Sequence, residues 1–211
     1  MYKILNNYAE VKEFISNELK SLKFTTNEPK IKAGSVLCVS AIDHCEASIE
    51  LIKLKRISSS FALIRVAYEA FIRGSWLINC ATAEQAERFI NHGEIKNGSK
   101  NIYTRDLVKM IDDKVEFNGL LTNKHDEYWT ILNSFTHSGE VPLAYGFDGS
   151  SVKSCYTEEQ IDEMVHVVTF VSTFSFMALL DICDNKDALE LVEKLKLKLS
   201  PWHLTKQSTR C

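Results

Sequence analysis

The chain has 211 residues, of which 45% are hydrophobic and 25% are charged, a balance typical of a folded domain and unlike that of a disordered chain. Its formal net charge is −3, so it lacks the basic excess of strong nonspecific nucleic-acid binders, although a local basic groove remains compatible with it. With 8 glycines and 3 prolines, the composition disfavours a turn-rich β-sandwich or barrel.

Apolar residues recur at helical spacing through the first third of the chain and predict three helices, at about 6–24, 34–55 and 60–80. A polar stretch over 25–32, which contains Pro29, is expected to be a loop. Serines 58–60 are candidate N-caps for the third helix. That helix is apolar nearly all round, which is typical of a helix in the middle of a bundle.

Capping and turn residues divide the rest of the chain. Two capping boxes, Thr82 with Gln85 and Thr157 with Gln160, predict helices over about 83–91 and 158–183. The further predicted elements are a turn at 97–99, a short helix over about 104–113, a turn at 118–119, a helix capped by Asn123 that ends at Thr136 or His137 before Gly139, a long loop over 139–156, and a helix over about 186–199 stopped by Pro201.

No stretch shows the alternation of a convincing strand, so we expect an all-α protein, a helical bundle of four to five long helices with short connecting helices. Residues 1–200 are expected to form a single helical domain, and 201–211 a flexible C-terminal tail.

Six cysteines without a CxxC pair predict buried reduced thiols, and the N-terminus lacks the apolar core of a signal peptide. The uncharged run from Met164 to Leu180 would be about 25 Å long as a helix, which favours a buried core helix over a membrane span. We therefore expect a cytoplasmic protein without a membrane partner.

Three charged residues stand out on the apolar third helix. Arg65, Glu69 and Arg73 recur every four residues, so they lie in one narrow stripe. Two interpretations are open. The stripe is either a ladder of ion pairs along a solvent-facing edge, or it points into a polar cleft where a functional arginine offsets the cost of its burial.

A second candidate site is the segment Asn133-Ser134-Phe135-Thr136-His137-Ser138-Gly139. It places a histidine at the end of a helix, beside hydroxyls and before a long loop. A histidine near Arg65 or Arg73 suits phosphodiester chemistry, because one group moves a proton while an arginine stabilises the charge on the phosphorane. The alternative is that His137 only caps the last carbonyls of its helix.

A third group, Asp43, Glu46 and Glu50, shares one face of the second predicted helix. Carboxylates in this arrangement contribute to di-iron sites in helical bundles, but the sequence contains no Glu-x-x-His, which such sites use twice. We interpret this group as a solvated acidic face and expect neither a metal site nor a cofactor.

The pattern SSSFALIRVAYEAFIRGSWL, followed later by WTILNSFTHSG, resembles a group of bacterial helical proteins similar to the HEPN-like and abortive-infection families, over roughly 40–180. Arg65 and Glu69 match an Arg-x-x-x-Glu helix, and His137 matches a His-Gly segment. The resemblance implies a helical bundle, a dimer and, as in several HEPN proteins, a metal-independent endoribonuclease used in anti-phage defence or as a toxin. The HEPN signature itself, an arginine four to six residues before a histidine, does not occur in this sequence.

On this hypothesis His137 is the general acid or base, Arg65 and Arg73 hold phosphate, and Glu69 orients an arginine. Candidates for binding the RNA substrate are Arg73, Asn133 and Ser138. The alternative is a non-catalytic protein-interaction module, an antitoxin- or sensor-like subunit that binds a protein partner through the loop 139–156. The alternative predicts that the stripe is satisfied internally and that an apolar patch is exposed.

Overall fold

The computed structural model describes residues 3–137, 139–147, 149–152, 155–183 and 187–203. It confirms the all-α helical bundle. The helices are α1 (Lys3–Leu19), α2 (Pro29–Lys53), α3 (Ile57–Asn79), α4 (Ala83–His92), α5 (Thr104–Val115), α6 (Leu120–Thr136), α7 (Glu140–Ala144), α8 (Glu158–Leu180) and α9 (Ala188–His203).

The third helix occupies the centre of the bundle, as its all-round apolar pattern predicts. It packs against α2, α5, α6 and α8, and it supplies several of the largest fully buried side chains, Phe61, Tyr68, Phe71 and Trp76. The α8 helix is long and apolar enough to cross a membrane, but 72% of its most apolar window is buried inside the protein. It is therefore placed as a core helix, as expected.

Two glycines allow α2 and α3 to approach closely. A Cβ built on Gly34 would lie 2.7 Å from Ile78 Cγ1, and one built on Gly74 would lie 2.8 Å from Cys38 Sγ. Each would also lie 2.9 Å from the carbonyl oxygen of the other glycine. Only residues without a side chain fit at this crossing, because backbone oxygens cannot rotate away as side-chain ends do.

The predicted N-cap of the sixth helix is wrong. The helix begins at Leu120, before Asn123, and its first amides are bonded by a carboxylate from α5. Asp112 accepts the amide protons of Leu121 at 3.3 Å and Thr122 at 3.0 Å, together with the Thr122 hydroxyl proton at 2.6 Å. A carboxylate at a helix N-terminus accepts hydrogen bonds from the free N–H groups and interacts favourably with the positive end of the helix dipole. A cap from the helix's own sequence is therefore not required.

Two other helix starts also differ from the prediction. The expected loop residue Pro29 is the first residue of α2, a position where its missing N–H costs nothing. The third helix begins at Ile57, so the serines 58–60 lie inside it. Ser60 is buried and donates to the carbonyl of Ser48 on α2 at 2.9 Å, which gives its hydroxyl a tertiary partner instead of a capping role.

The chain after Leu199 stays helical to His203, so Pro201 does not end the last helix where predicted. Ser200 Oγ donates to the carbonyl of Leu197 at 2.9 Å, and this is the carbonyl that the N–H missing from Pro201 would otherwise reach. Residues 201–203 therefore belong to α9 and not to a tail, and 204–211 lie outside the described residues.

The remaining differences are small. The α1 helix ends at Leu19 and α8 at Leu180, both earlier than predicted. Two-residue strands, Lys96–Asn97 and Lys100–Asn101, pair antiparallel around the predicted turn at 97–99. The predicted loop 139–156 contains α7 and a bridge between Phe147 and Val152. Both capping boxes are confirmed.

Candidate functional site

The stripe on α3 changes from buried to exposed along its length. Arg65 Nη2 lies 2.7 Å from Glu69 Oε1, and Arg73 Nη2 lies 3.7 Å from the same oxygen. The side-chain exposure rises from 8% at Arg65 through 29% at Glu69 to 43% at Arg73. The ladder expected from the spacing therefore exists, but only its first member is a buried ion.

Arg65 is held by α6 as well as by Glu69. Its Nε donates to Asn133 Oδ1 at 2.9 Å, and its guanidinium carbon lies 4.0 Å from the centroid of the Trp129 ring. Its Nη1 is buried and has no hydrogen-bond partner in the described chain. A carboxylate, an amide and an aromatic face thus surround one buried cation, the arrangement in which arginine, with its planar and delocalised charge, is favoured over lysine.

A histidine that the sequence analysis did not select lies in the same interface. His125 is buried, its Nδ1 lies 3.0 Å from the Tyr68 hydroxyl, and its ring lies 4.7 Å from that of Trp129. Burial lowers the pKa of His125 and raises that of Tyr68, so both groups are held neutral. With the Tyr68 hydroxyl as donor, the proton of the neutral imidazole lies on Nε2.

The signal for this interface is present in the sequence. His125, Trp129, Asn133 and His137 follow one another at four-residue spacing, so they form a stripe on α6 that matches the one on α3. This second stripe is visible only when the four residues are considered together, because none of them stands out by itself.

The two helices run antiparallel, and this separates the predicted site residues. Tyr68 pairs with His125, and Arg65 with Asn133, so positions increase on one helix as they decrease on the other. From the Arg65–Asn133 bond, Arg73 lies about 12 Å along α3 in one direction and His137 about 6 Å along α6 in the other. Within one chain, Arg73 and His137 therefore face opposite ends of the interface.

Local backbone hydrogen bonds and close packing account for part of the segment 133–139. The amide of His137 donates to the carbonyl of Asn133 at 3.0 Å, and that of Gly139 donates to the carbonyl of Ser134 at 2.8 Å. A Cβ on Gly139 would lie 2.6 Å from Ser134 Oγ, which explains the glycine. The side chain of His137 is exposed, and Ser138 lies outside the described residues.

Arg65, Glu69 and Asn133 are thus brought together, while no hydrogen bond or ion pair of the described residues joins the imidazole ring of His137 to any of their side chains. The paired guanidinium of Arg65 locks α3 to α6. For phosphate to reach it, the ligand would have to replace Glu69 or Asn133, or approach Nη1.

A different surface combines exposed apolar and acidic side chains, and we call it the acidic–apolar surface. Its members are the exposed residues Leu143, Phe147, Val152, Glu158 and Glu159, together with the half-buried Asp162. The amide of Cys155 donates to the carbonyl of Tyr145 at 2.8 Å, which folds the 140–155 segment back toward the start of α8. Burial, followed by the neighbouring charges of Glu158 and Glu159, raises the pKa of Asp162. No basic side chain in the described chain pairs with these three acids.

The residues considered for a metal are used in other ways. Glu46 accepts from Ser16 at 2.8 Å and pairs with Lys12 at 3.1 Å, while Glu50 pairs with Lys53 at 2.8 Å. Within the described ranges, no group of three or more His, Cys, Asp or Glu residues has the geometry of a metal site.

Cys38, Cys45 and Cys80 are free thiols. Burial raises the pKa of Cys38 and of Cys45 to about 12, so these two thiols are unreactive at neutral pH.

A family model described as a family of unknown function, DUF6988, matches residues 38–201, which cover most of the chain and both halves of the α3–α6 interface. No curated protein matches the chain, and no solved structure does.

Proposed function

The chain belongs to the DUF6988 family, whose function is unknown, and we propose from its own geometry that it is a non-catalytic protein-interaction module, an antitoxin- or sensor-like subunit. We place it in the cytoplasm, in a HEPN-like defence or toxin–antitoxin system. The proposal depends on one observation: the buried member of the charged stripe, Arg65, is held within the protein by Glu69 and Asn133, whereas exposed apolar side chains share a surface with acids that no cation of the described residues pairs with.

The charge of that surface defines the partner. The charges of Glu158 and Glu159 act unfavourably on that of Asp162, and no cation among the described residues pairs with these acids. Exposed apolar contact is offered by Leu143, Phe147 and Val152. A protein segment with apolar residues flanked by lysines or arginines complements both features. We therefore propose a basic amphipathic segment of another protein as the ligand of the acidic–apolar surface.

A defined probe tests this binding mode. A fluorescent helical peptide of leucine and lysine, about 15 residues long, is titrated with the protein, and a leucine and glutamate peptide serves as the comparison. We expect binding of the basic peptide only, weakened about tenfold when Glu158→Gln and Glu159→Gln are combined. The matched control is Glu10→Gln with Glu13→Gln on α1, which removes the same charge elsewhere. Equal binding by both double variants would contradict the proposal.

A second candidate, the metal-independent endoribonuclease, is supported by a different observation. His137 is exposed one turn beyond the Arg65–Asn133 bond, and Arg65 Nη1 has no partner in the described chain. In a dimer, a second copy would supply the additional cations for phosphate. The 2′-hydroxyl oxygen of RNA would form a bond to phosphorus while the bond between phosphorus and the leaving 5′-oxygen breaks. His137 would take the proton from the 2′-hydroxyl and give it to the 5′-oxygen, which leaves a 2′,3′-cyclic phosphate and a 5′-hydroxyl.

Incubation of the purified protein with RNA in excess EDTA tests this candidate. If the wild type cleaves RNA and leaves a cyclic phosphate end, and His137→Ala does not cleave it, the endoribonuclease is supported over the interaction module. Intact RNA at micromolar protein, with wild type and His137→Ala equally harmless in cells, would exclude it. Sedimentation of the same samples measures the proposed dimer directly.

A further inference from the structure

A half-enclosed cavity of about 180 Å³ lies where α3, α5 and α8 meet, away from the acidic–apolar surface. Its walls are mostly aromatic and aliphatic. Phe71, Phe117 and Phe174 supply three rings, with centroids 6.4 Å apart for Phe71 and Phe174 and 5.4 Å apart for Phe117 and Phe174. An apolar cavity of roughly 150 Å³ is enough to bind benzene in another protein, so this one has room for a ligand of that size.

One wall of the cavity is polar. It is formed by Ser75, Asn79 and Asp181, the last of which is the C-cap residue of α8. Ser75 is 2% exposed, and its hydroxyl has no oxygen or nitrogen partner in the described chain. The polar group beside it is the Cys38 thiol, which is a weak hydrogen-bonding group. The Asn79 amide already donates to the carbonyl of Ser75 at 2.9 Å. The polar wall thus offers acceptors to a ligand.

Among the described residues that line this cavity, Asp181 alone carries a formal charge. No cation in the described chain pairs with it, and partial burial of its carboxyl group raises its pKa, although the residue as a whole is exposed to solvent. A carboxylate at the mouth of an aromatic cavity, paired with no cation of the described residues, favours a ligand that brings its own positive charge. Aromatic faces add to that preference, because their quadrupoles attract ammonium groups.

We propose that this cavity binds a small organic ammonium ion, with an apolar or aromatic body of about six to eight non-hydrogen atoms between the phenylalanines and its ammonium group against Asp181. Such a site would give the protein a small-molecule ligand in addition to its protein partner. The inference does not depend on the proposed function, since none of the cavity residues belongs to the acidic–apolar surface.

Titration calorimetry with benzylamine and its neutral analogue benzyl alcohol tests the site at pH 7. We expect benzylamine to bind with a dissociation constant of about 1 mM or lower, and benzyl alcohol about tenfold more weakly. Asp181→Asn is expected to remove the preference for the amine while binding of the alcohol persists. Ala178→Leu fills the cavity from α8 and is expected to abolish binding of both.

If neither compound binds at about 10 mM, tenfold above the expected dissociation constant, the proposal is overturned. Equal affinity for the amine and the alcohol in the wild type would also overturn it, because the charge of Asp181 would then have no role. Unchanged amine binding in Asp181→Asn would place the ligand elsewhere. Because Asp181 is an exposed cap residue, this variant tests the site even if Ala178→Leu fails to fold.

Discussion

Arg65 and Arg73 have the same partner, Glu69, at the same spacing along α3, and yet their surroundings differ completely. Arg65 is covered by α6, bonds to Asn133 and lies on Trp129. Arg73 lines an open groove of about 510 Å³ and makes only a long ion pair with Glu69. The i,i+4 spacing of charged residues predicts a ladder of ion pairs. It does not show which member is buried, because packing against the neighbouring helix decides that.

The largest expected effect comes from removing the buried arginine. In Arg65→Ala, Asn133 loses its donor, Trp129 loses its contact, and Glu69 keeps a partly buried charge. We expect the free energy of unfolding to fall by about 2–4 kcal/mol, less than for a fully buried pair because water reaches Glu69. Urea unfolding followed by circular dichroism measures it, and a loss below about 1 kcal/mol would show that the α3–α6 lock is unimportant.

Gly74 follows Arg73 on α3 and faces α2, so a substitution there tests close packing instead of charge. Gly74→Ala places a Cβ against Cys38 Sγ and the carbonyl of Gly34, so α2 and α3 must separate. We expect a loss of about 1–3 kcal/mol, measured by thermal or urea unfolding. A gain in stability, as expected for alanine in an unobstructed helix, would mean that the helices do not approach so closely.

The buried histidine of the interface makes stability depend on pH. Burial lowers the pKa of His125 in the folded protein below its value of about 6.5 in the unfolded chain, so the unfolded chain binds a proton more readily. The contribution of His125 to stability is therefore present above pH 6.5 and is lost as the pH falls toward the folded pKa. Each unit of pKa lowering corresponds to about 1.4 kcal/mol.

Unfolding of the wild type and of His125→Gln, compared between about pH 7.5 and 5.5, isolates this term. Carboxylates titrate lower, so most of their effect lies outside this window. We expect the wild type to lose more stability than the variant across it. Parallel curves for the two proteins would show that His125 does not supply the pH dependence.

The smallest effect is expected at the exposed end of the stripe. Arg73→Ala removes an ion pair of 3.7 Å on a side chain that is largely hydrated, so we expect a change of about 0.5 kcal/mol or less. The same unfolding assay as for Arg65→Ala makes the two variants a matched pair. A loss at Arg73 as large as that at Arg65 would remove the distinction between the two ends.

Part of the candidate site could be predicted from the sequence. The spacing of Arg65, Glu69 and Arg73 identifies the ladder, and Asn133 was selected from its own segment. The sequence does not identify Trp129, Tyr68 or His125 as part of the site, because their importance depends on which face of α6 meets α3. Phosphodiester chemistry suggests that His137 lies near Arg73. Within one chain the two residues lie toward opposite ends of the α3–α6 interface, because the helices run antiparallel.

By itself, the sequence determined the features that depend on residues three or four positions apart: the helical class, the two capping boxes and the four-residue stripe. These are local interactions, so their partners are readable from spacing. Only the tertiary structure decided that Arg65 is the buried arginine, that Asp112 caps a helix to which it does not belong, and that Gly34 meets Gly74. In each case the partner lies far along the chain or on another helix, and burial follows from packing that no local pattern encodes.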